Sequence, residues 1–393
     1  MRRKKRLVFS WLLLLPALLY VAVAERASWR PRIWHIQGGH IVALAASPNG
    51  KWLAVGICQP PTFIYNTGAN GGRTWTLSAV TRFRSRPATN TIQLWDTAGA
   101  RVVDTIPCHF EATDVAFSPD NTLLAIATDP YILLWDMLHH RRLWTLPGSG
   151  PVRFSPDGKR LITLNKDMIN IQFINLAKGR VSWQTGLPTG LATAGLSDQP
   201  DWMLAFPVVV TTQITTRSSY RTLCTVAPDE HTAAGVVDIP PGYASEARLL
   251  PLHKAASSQE RPQVPLPPLT TNSILSEVVT ALTFSPDGQW LAVGGDNVRL
   301  YDAKTGALRA VCEHSHSCEA LAFAPDSQTL AGSCNHQLLL WQSSNGKLLR
   351  TIETPKPVAQ NGKRGAAFLA FSGDGRTLFA GYDSDTVKLW RMK

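Results

Sequence analysis

A turn phrase recurring six times, a Trp-Asp pair or a relative about 18 residues after it, and a repeat period near 40 residues predict an all-β fold. The expected architecture is a β-propeller of seven four-stranded blades, with eight as the alternative, preceded by an N-terminal hydrophobic helix.

The turn is clearest in Phe117-Ser118-Pro119-Asp120-Asn121, Phe154-Ser155-Pro156-Asp157-Gly158 and Phe284-Ser285-Pro286-Asp287-Gly288. Weaker copies are Ala46-Ser47-Pro48-Asn49-Gly50, Phe323-Ala324-Pro325-Asp326 and Phe371-Ser372-Gly373-Asp374-Gly375. Ser at the first position, Pro fixing φ at the second, a tolerant Asp at the third and Gly at the last describe a type I turn. Apolar alternation precedes each copy and a second strand follows, as in Trp290-Leu291-Ala292-Val293, so each copy reads as a hairpin.

A third strand then ends in Trp95-Asp96, Trp135-Asp136, Tyr301-Asp302, Trp341-Gln342 or Trp390-Arg391, with Ile174-Asn175 in the third repeat. A turn and a short fourth strand complete the unit, for example Leu308 to Val311. Such a unit cannot bury both of its faces alone, so the units must pack on one another around an axis.

These turns and Trp-Asp pairs resemble the WD-repeat family over roughly 32–190 and 278–393. The Gly-His dipeptide of that family is intact at Gly39-His40, whereas Cys108-His109 and Glu313-His314 have lost the Gly. The resemblance implies a protein-binding scaffold. It also implies that the link from second to third strand lies on the same face as the link between blades.

Three units precede residue 180 and three follow 278. The 130 residues from Phe154 to Phe284 leave room for a degenerate blade near 187–277. Leu196-Ser197-Asp198-Gln199 is read as its worn turn and Trp202–Ala205 as its second strand. Insertions between second and third strands are expected near 58–89 and 211–245. The chain ends on Thr386-Val387-Lys388-Leu389-Trp390, a third strand, and Ile33-Trp34-His35-Ile36 is expected to supply the missing fourth. That would seal the ring and remove its open edge.

Residues 7–24 form an uncharged apolar run directly after Arg2-Arg3-Lys4-Lys5-Arg6. A positive flank before an apolar run directs export. Two outcomes stay open: a signal peptide cleaved near Ala24, or an uncleaved transmembrane anchor over 1–24. A short linker, 25–31, precedes the propeller at 32–393. Those five basic residues account for five of the formal net charge of +11. The remaining balance is weak support for nucleic-acid binding, and none is expected; the propeller is expected to be a monomer.

The first insertion carries Arg73, Arg82, Arg84 and Arg86 with no acid, beside Trp75 and Phe83. Arg and aromatic residues are enriched at binding hot spots. Arg73, Trp75, Arg82, Phe83, Arg84 and Arg86 are therefore candidates for docking an acidic protein partner. The competing reading is a solvated loop whose aromatics pack on the blade. Pro262 to Pro268 favours an extended conformation and is read as an edge strand or connector rather than a peptide ligand. Cys312-Glu313-His314-Ser315-His316-Ser317-Cys318 contains zinc-ligand residue types but lacks a paired C-x-x-C element. It is read as structural, ahead of a metal site or a Cys312–Cys318 disulfide. Six cysteines at irregular spacing leave every pairing unassigned. His139-His140-Arg141-Arg142 reads as a solvated outer turn.

No haem, zinc-protease, nucleophile-elbow or phosphate-loop motif appears. No cofactor, metal or catalytic residue is assigned. The expected function is a non-enzymatic protein-binding scaffold on the extracytoplasmic side of a membrane. The alternative is a propeller enzyme of lyase or lactonase type, with its site at the central channel mouth.

Overall fold

The computed structural model describes residues 31–59, 62–63, 85–86, 89–165, 170–186, 224–229, 232–239, 244–251, 264–265, 279–313, 317–334, 337–353, 366–382 and 385–392. The apolar run at 7–24, expected as a helix, lies outside them. Among the described residues no helix is long and apolar enough to cross a membrane.

The described strands form seven four-stranded antiparallel sheets and one two-stranded ladder. β1 (Arg32–His35) belongs to the last sheet. The first sheet runs from β2 (His40–Ala46) through β3 (Trp52–Gln59) and β6 (Thr89–Asp96) to β7 (Arg101–Cys108). Between β3 and β6, β4 (Thr62–Phe63) pairs with β5 (Ser85–Arg86). The second sheet holds β8 (Ala112–Phe117), β9 (Leu123–Thr128), β10 (Tyr131–Asp136) and β11 (Arg141–Pro147). The third holds β12 (Ser149–Phe154), β13 (Arg160–Leu164), β14 (Asn170–Asn175) and β15 (Arg180–Gly186). The fourth holds β16 (Cys224–Val226), β17 (Thr232–Ile239), β18 (Ala244–Pro251) and β19 (Val264–Pro265). The fifth runs through β20 (Ala281–Phe284), β21 (Trp290–Gly294), β22 (Val298–Asp302) and β23 (Leu308–Val311). The sixth runs through β24 (Cys318–Phe323), β25 (Thr329–Cys334), β26 (Gln337–Gln342) and β27 (Leu348–Glu353). The seventh joins β28 (Ala366–Phe371), β29 (Thr377–Tyr382) and β30 (Thr386–Arg391) to β1.

The first strands of neighbouring sheets touch one another: β16 with β20, β20 with β24, β24 with β28, β28 with β2, β2 with β8, and β8 with β12. Buried clusters fill the gaps between sheets. Leu133 and Leu124 of the second sheet pack with Ile92 and Leu94 of the first, for example, and Trp341 and Phe323 of the sixth pack with Leu300 of the fifth. At these six junctions neighbouring sheets bury one another's faces, which is what the repeat period requires of a β-propeller.

The repeated turn forms as its residues dictate. Asn121 N–H donates to Ser118 O at 2.9 Å, closing a type I turn. The buried Ser118 hydroxyl donates to Asp120 Oδ1 at 2.5 Å and accepts from Leu123 N–H at 2.9 Å. The same pair of bonds recurs at Ser155, Ser285 and Ser372. The last turn position has φ of +67° at Gly158 and +63° at Asn121, the left-handed region that Gly and Asn tolerate. Turns of adjacent sheets meet: Asn49 N–H donates to Asn121 Oδ1 at 3.0 Å, and Asp287 N–H donates to Ser327 Oγ at 3.1 Å.

The Trp-Asp pair sits at a register shift between third and fourth strands, as at Leu134/Trp135 and Leu340/Trp341. Its Asp caps the outer turn: Asp136 accepts from the N–H groups of Leu138 and His139, and Asp302 from those of Lys304 and Thr305. The expected closure forms as well. Trp34 opposes Val387 in the β1–β30 ladder, and Ile36 N–H donates to Asp385 O at 2.6 Å.

The fourth sheet corrects one expectation. Leu196-Ser197-Asp198-Gln199 and Trp202–Ala205 lie outside the described residues. The described turn is Ala227-Pro228-Asp229 after β16, a copy of Ala324-Pro325-Asp326. Pro228 lies against the turn of the fifth sheet at Gly288, as Pro325 does at Gly375. β16 and β17 fall inside 211–245, so that stretch is not one insertion. β17 runs to Ile239 and pairs with Ala244 across a short connection. The physical reason is that the turn needs Pro at its second position and Asp at its third, which Leu196-Ser197-Asp198-Gln199 lacks.

Candidate functional site

By the antiparallel order of the described strands, each second strand ends and each third strand begins on one side of its sheet, and the repeated turns lie on the other. On the first side the β3–β6 hairpin is longer than its counterparts. Its ladder reaches Gln59 opposite Thr89 and resumes with Thr62 opposite Arg86 and Phe63 opposite Ser85. The chain between 64 and 84 thus leaves from the end of a two-stranded stem. Arg73, Trp75, Arg82, Phe83 and Arg84 lie outside the described residues. Arg86 is placed only by its backbone, in β5. The stem is what the structure adds to the candidate site.

Beside this stem, β7 ends at Cys108 and the chain crosses to the second sheet through His109, Phe110 and Glu111. Phe110 faces Tyr131, the first residue of β10, with ring centroids 6.3 Å apart and planes at 38°. Both rings are exposed, at 46% and 44%. Sequence reasoning missed this pair, because one ring lies in the link before β8 and the other 21 residues later on β10, and neither is a signature position of the repeat.

Toward the centre, Arg153 on β12 reaches back to β8. Its Nη1 donates to Asp114 Oδ2 at 2.8 Å and to Val152 O at 2.7 Å. Asp114 also accepts from Val152 N–H at 3.0 Å, so one carboxylate ties two inner strands together. Among the described first strands His40 is the one histidine. Among the described residues no group of three or more His, Cys, Asp or Glu is arranged to hold a metal ion.

The cysteine-histidine motif resolves differently from its alternatives. Cys318 is bonded to Cys334, its opposite number in the β24–β25 ladder, and both are fully buried. A Cys312–Cys318 disulfide is therefore excluded. Cys312 is a buried thiol in the same cluster, and burial pushes it up to about 12. His314 and His316 lie outside the described residues. At the outer turn of the second sheet, His139 pairs with Asp136 and His140 with Asp104, each at 2.8 Å. The His140–Asp104 pair joins the second sheet to the outer strand of the first. Within the proline-rich stretch, Val264–Pro265 forms β19, an edge strand as expected.

The sequence profile of the family described as "WD domain, G-beta repeat" (WD40) matches residues 100–136, 270–302, 306–342 and 361–391. These are the second, fifth, sixth and seventh units. The chain is similar to the small ribosomal subunit protein RACK1 of Drosophila melanogaster, 29% identical over 118 residues, which is 29% of this chain and 37% of that protein. It is similar also to the small ribosomal subunit protein RACK1z of Oryza sativa subsp. japonica, 28% identical over 116 residues, 29% of this chain and 35% of that protein. The matched stretch thus spans little more than a third of these relatives. A chain in the crystal structure of the mitotic checkpoint complex aligns with a TM-score of 0.60 at 15% identity, covering 93% of this chain and 92% of that one. This likeness concerns the fold. The chain carries WD40 repeats on an all-β propeller.

Proposed function

We propose that this protein is a non-enzymatic scaffold that binds a protein partner through the face bearing the first insertion. The observation that carries the reading is the β4–β5 stem. It leads from the disc into a segment with Arg73, Arg82 and Arg84 and no acid. A cationic segment that also carries Trp75 and Phe83 suits an acidic partner. Association with a partner is consistent with relatives that are small ribosomal subunit proteins. We read the ring as seven-bladed, with β16–β19 as the fourth blade.

The propeller is read as extracytoplasmic, tethered by residues 7–24 or released by cleavage near Ala24. The basic flank before the apolar run supports export. The Cys318–Cys334 bond is consistent with it, because disulfides persist in oxidising compartments.

Affinity capture with the full chain tests the partner assignment. Replacing Arg73, Arg82, Arg84 and Arg86 by Ser is expected to abolish recovery of the acidic partner; unchanged recovery refutes it. Protease protection in sealed membranes tests the orientation, and N-terminal sequencing separates cleavage from anchoring.

A further inference from the structure

Phe110 and Tyr131 are exposed aromatic side chains. They touch each other across the junction of the first and second sheets, on the side bearing the stem. Scattered exposed aliphatics are ordinary on a protein surface, but two large rings held together on one patch are not.

The stretch of sequence that carries both rings is acidic. Residues 102–140 contain six carboxylates and no Lys or Arg, in a chain of formal charge +11. Four of the six are engaged: Asp104 with His140, Asp136 with His139, Asp114 with Arg153, and Asp120 in its own turn. Glu111 and Asp129 have no ion-pair partner among the described residues. Glu111 follows Phe110 directly, and Asp129 lies two residues before Tyr131. The two uncommitted negative charges therefore flank the two exposed rings.

The face of an aromatic ring attracts a cation, and a nearby carboxylate adds to the attraction. Arginine gains most, since its guanidinium is weakly hydrated and stacks on rings. We infer that Phe110, Tyr131, Glu111 and Asp129 form a docking site for an extended basic segment of a protein partner, one Lys or Arg side chain seated against the two rings. An acidic segment is repelled there. The charge preference is opposite to that of the Arg-bearing insertion, so this site extends the scaffold reading and stands or falls separately from it.

The test is a fluorescence anisotropy titration of the full chain with a short labelled peptide alternating Arg and Lys with Gly, beside a matched peptide carrying Glu. The basic peptide is expected to bind saturably, more tightly at low salt, and the Glu peptide to show no binding. Phe110→Ala and Tyr131→Ala should each weaken binding about two- to five-fold. Tyr131→Phe, which keeps the ring, should retain it. Glu111→Gln with Asp129→Asn should weaken binding and flatten its salt dependence. Replacing Arg73, Arg82, Arg84 and Arg86 by Ser should change nothing. The inference is overturned if the basic peptide fails to saturate, if the Glu peptide binds as well, or if the double Ala variant melts like the parent and keeps its affinity. It is overturned too if binding appears only in the Arg-to-Ser variant, since the chain's own insertion would then be the occupant.

Discussion

Trp34 of β1 stacks on Trp95 of β6, their ring centroids 5.4 Å apart and their planes within 15° of parallel. Trp34 belongs by hydrogen bonding to the seventh sheet and Trp95 to the first, so this contact joins the two ends of the chain's ring. Phe379 of the same seventh sheet also meets Trp34, with ring centroids 6.3 Å apart. The N-terminal strand thus acts twice, covering the β30 edge and packing an aromatic between two sheets.

Trp34→Ala is expected to destabilise the propeller by about 3–5 kcal/mol, the usual cost of truncating a buried aromatic. Ile33→Ser, on the same strand but 49% exposed, should stay within about 0.5 kcal/mol of the parent. Deleting 31–37 removes the β1 ladder and leaves β30 as an open edge, so aggregation is expected. Urea unfolding measures the first two, and light scattering the third. A deletion variant that melts cooperatively at an unchanged temperature rules out the closure.

Stability should be flat through neutral pH and fall in acid. The Arg309 guanidinium, 2.7 Å away, and turn amides hold Asp302 well below the usual carboxylate range. The Ser155 and Ser372 hydroxyls lower Asp157 and Asp374 in the same direction, and the His139 amide lowers Asp136. A carboxyl whose folded pKa lies below its unfolded value, about 3.9, contributes stability that is complete above that value. The contribution is lost as pH falls through the depressed folded pKa. Urea midpoints should therefore hold down to about pH 5 and drop below about pH 4. Asp302→Asn should make the acid decline shallower; an identical decline would show that this carboxylate is not depressed.

The repeat was legible because its information is local. Ser118, Pro119, Asp120 and Asn121 determine their turn among themselves, and the same word recurs wherever the geometry does. The turn of the fourth sheet was misplaced because it keeps only Pro228 and Asp229 of that word, with Ala227 in place of Ser and Val226 in place of Phe. The Cys318–Cys334 pairing was not legible because it depends on the register of β24 with β25, which shifts between Cys318 and Ala320. Phe110 and Tyr131 become neighbours only once the link before β8 is set against the start of β10. Their flanking charge could have been found by counting, since 102–140 has six acids and no Lys or Arg. The arginines at 73, 82 and 84 stand on sequence alone, and the stem beneath them on the backbone.

Removing the disulfide should cost about 3 kcal/mol, the value for closing a loop of this size, given its separation of 16 residues. Cys318→Ala with Cys334→Ala measures it by urea unfolding. In the native parent, dithiothreitol should leave the bond intact, because both sulfurs are buried. Cys108 and Cys312, pushed up by burial to about 11 and about 12, should resist iodoacetamide at pH 8 until denaturant is added. Alkylation of either under native conditions, read by mass spectrometry, would contradict the packing.

The turn hydroxyls can be tested by loss and by gain. Ser118→Ala deletes the bonds to Asp120 and to the Leu123 amide and should cost about 1–2 kcal/mol. The sixth sheet has Ala324 at the same position, with its Asp326 still accepting from the Gln328 amide. Ala324→Ser offers the missing hydroxyl to Asp326 and to the amide of Thr329, and should stabilise by about 0.5–1 kcal/mol. If Ala324→Ser destabilises, the turns are not equivalent.

The turns of the seventh and first sheets approach each other closely. A Cβ at Gly373 would lie 1.5 Å from Pro48 O, and the obstacle is main chain rather than a movable side chain. At Gly50, in the facing turn, a Cβ has 3.6 Å to its nearest neighbour but φ is +67°. The two glycines are thus required for different reasons, close approach at Gly373 and backbone conformation at Gly50. Gly50→Ala should cost about 1 kcal/mol, the ordinary price of a left-handed non-glycine residue. Gly373→Ala must push the two turns apart and should cost clearly more, about 1–3 kcal/mol or above. Trp34→Ala acts on the same pair of sheets, so its effect should combine with that of Gly373→Ala less than additively, because either change alone loosens the junction. Urea unfolding of the single and double variants measures this. Equal costs at Gly50 and Gly373, or full additivity with Trp34→Ala, would show that the two contacts do not share one junction.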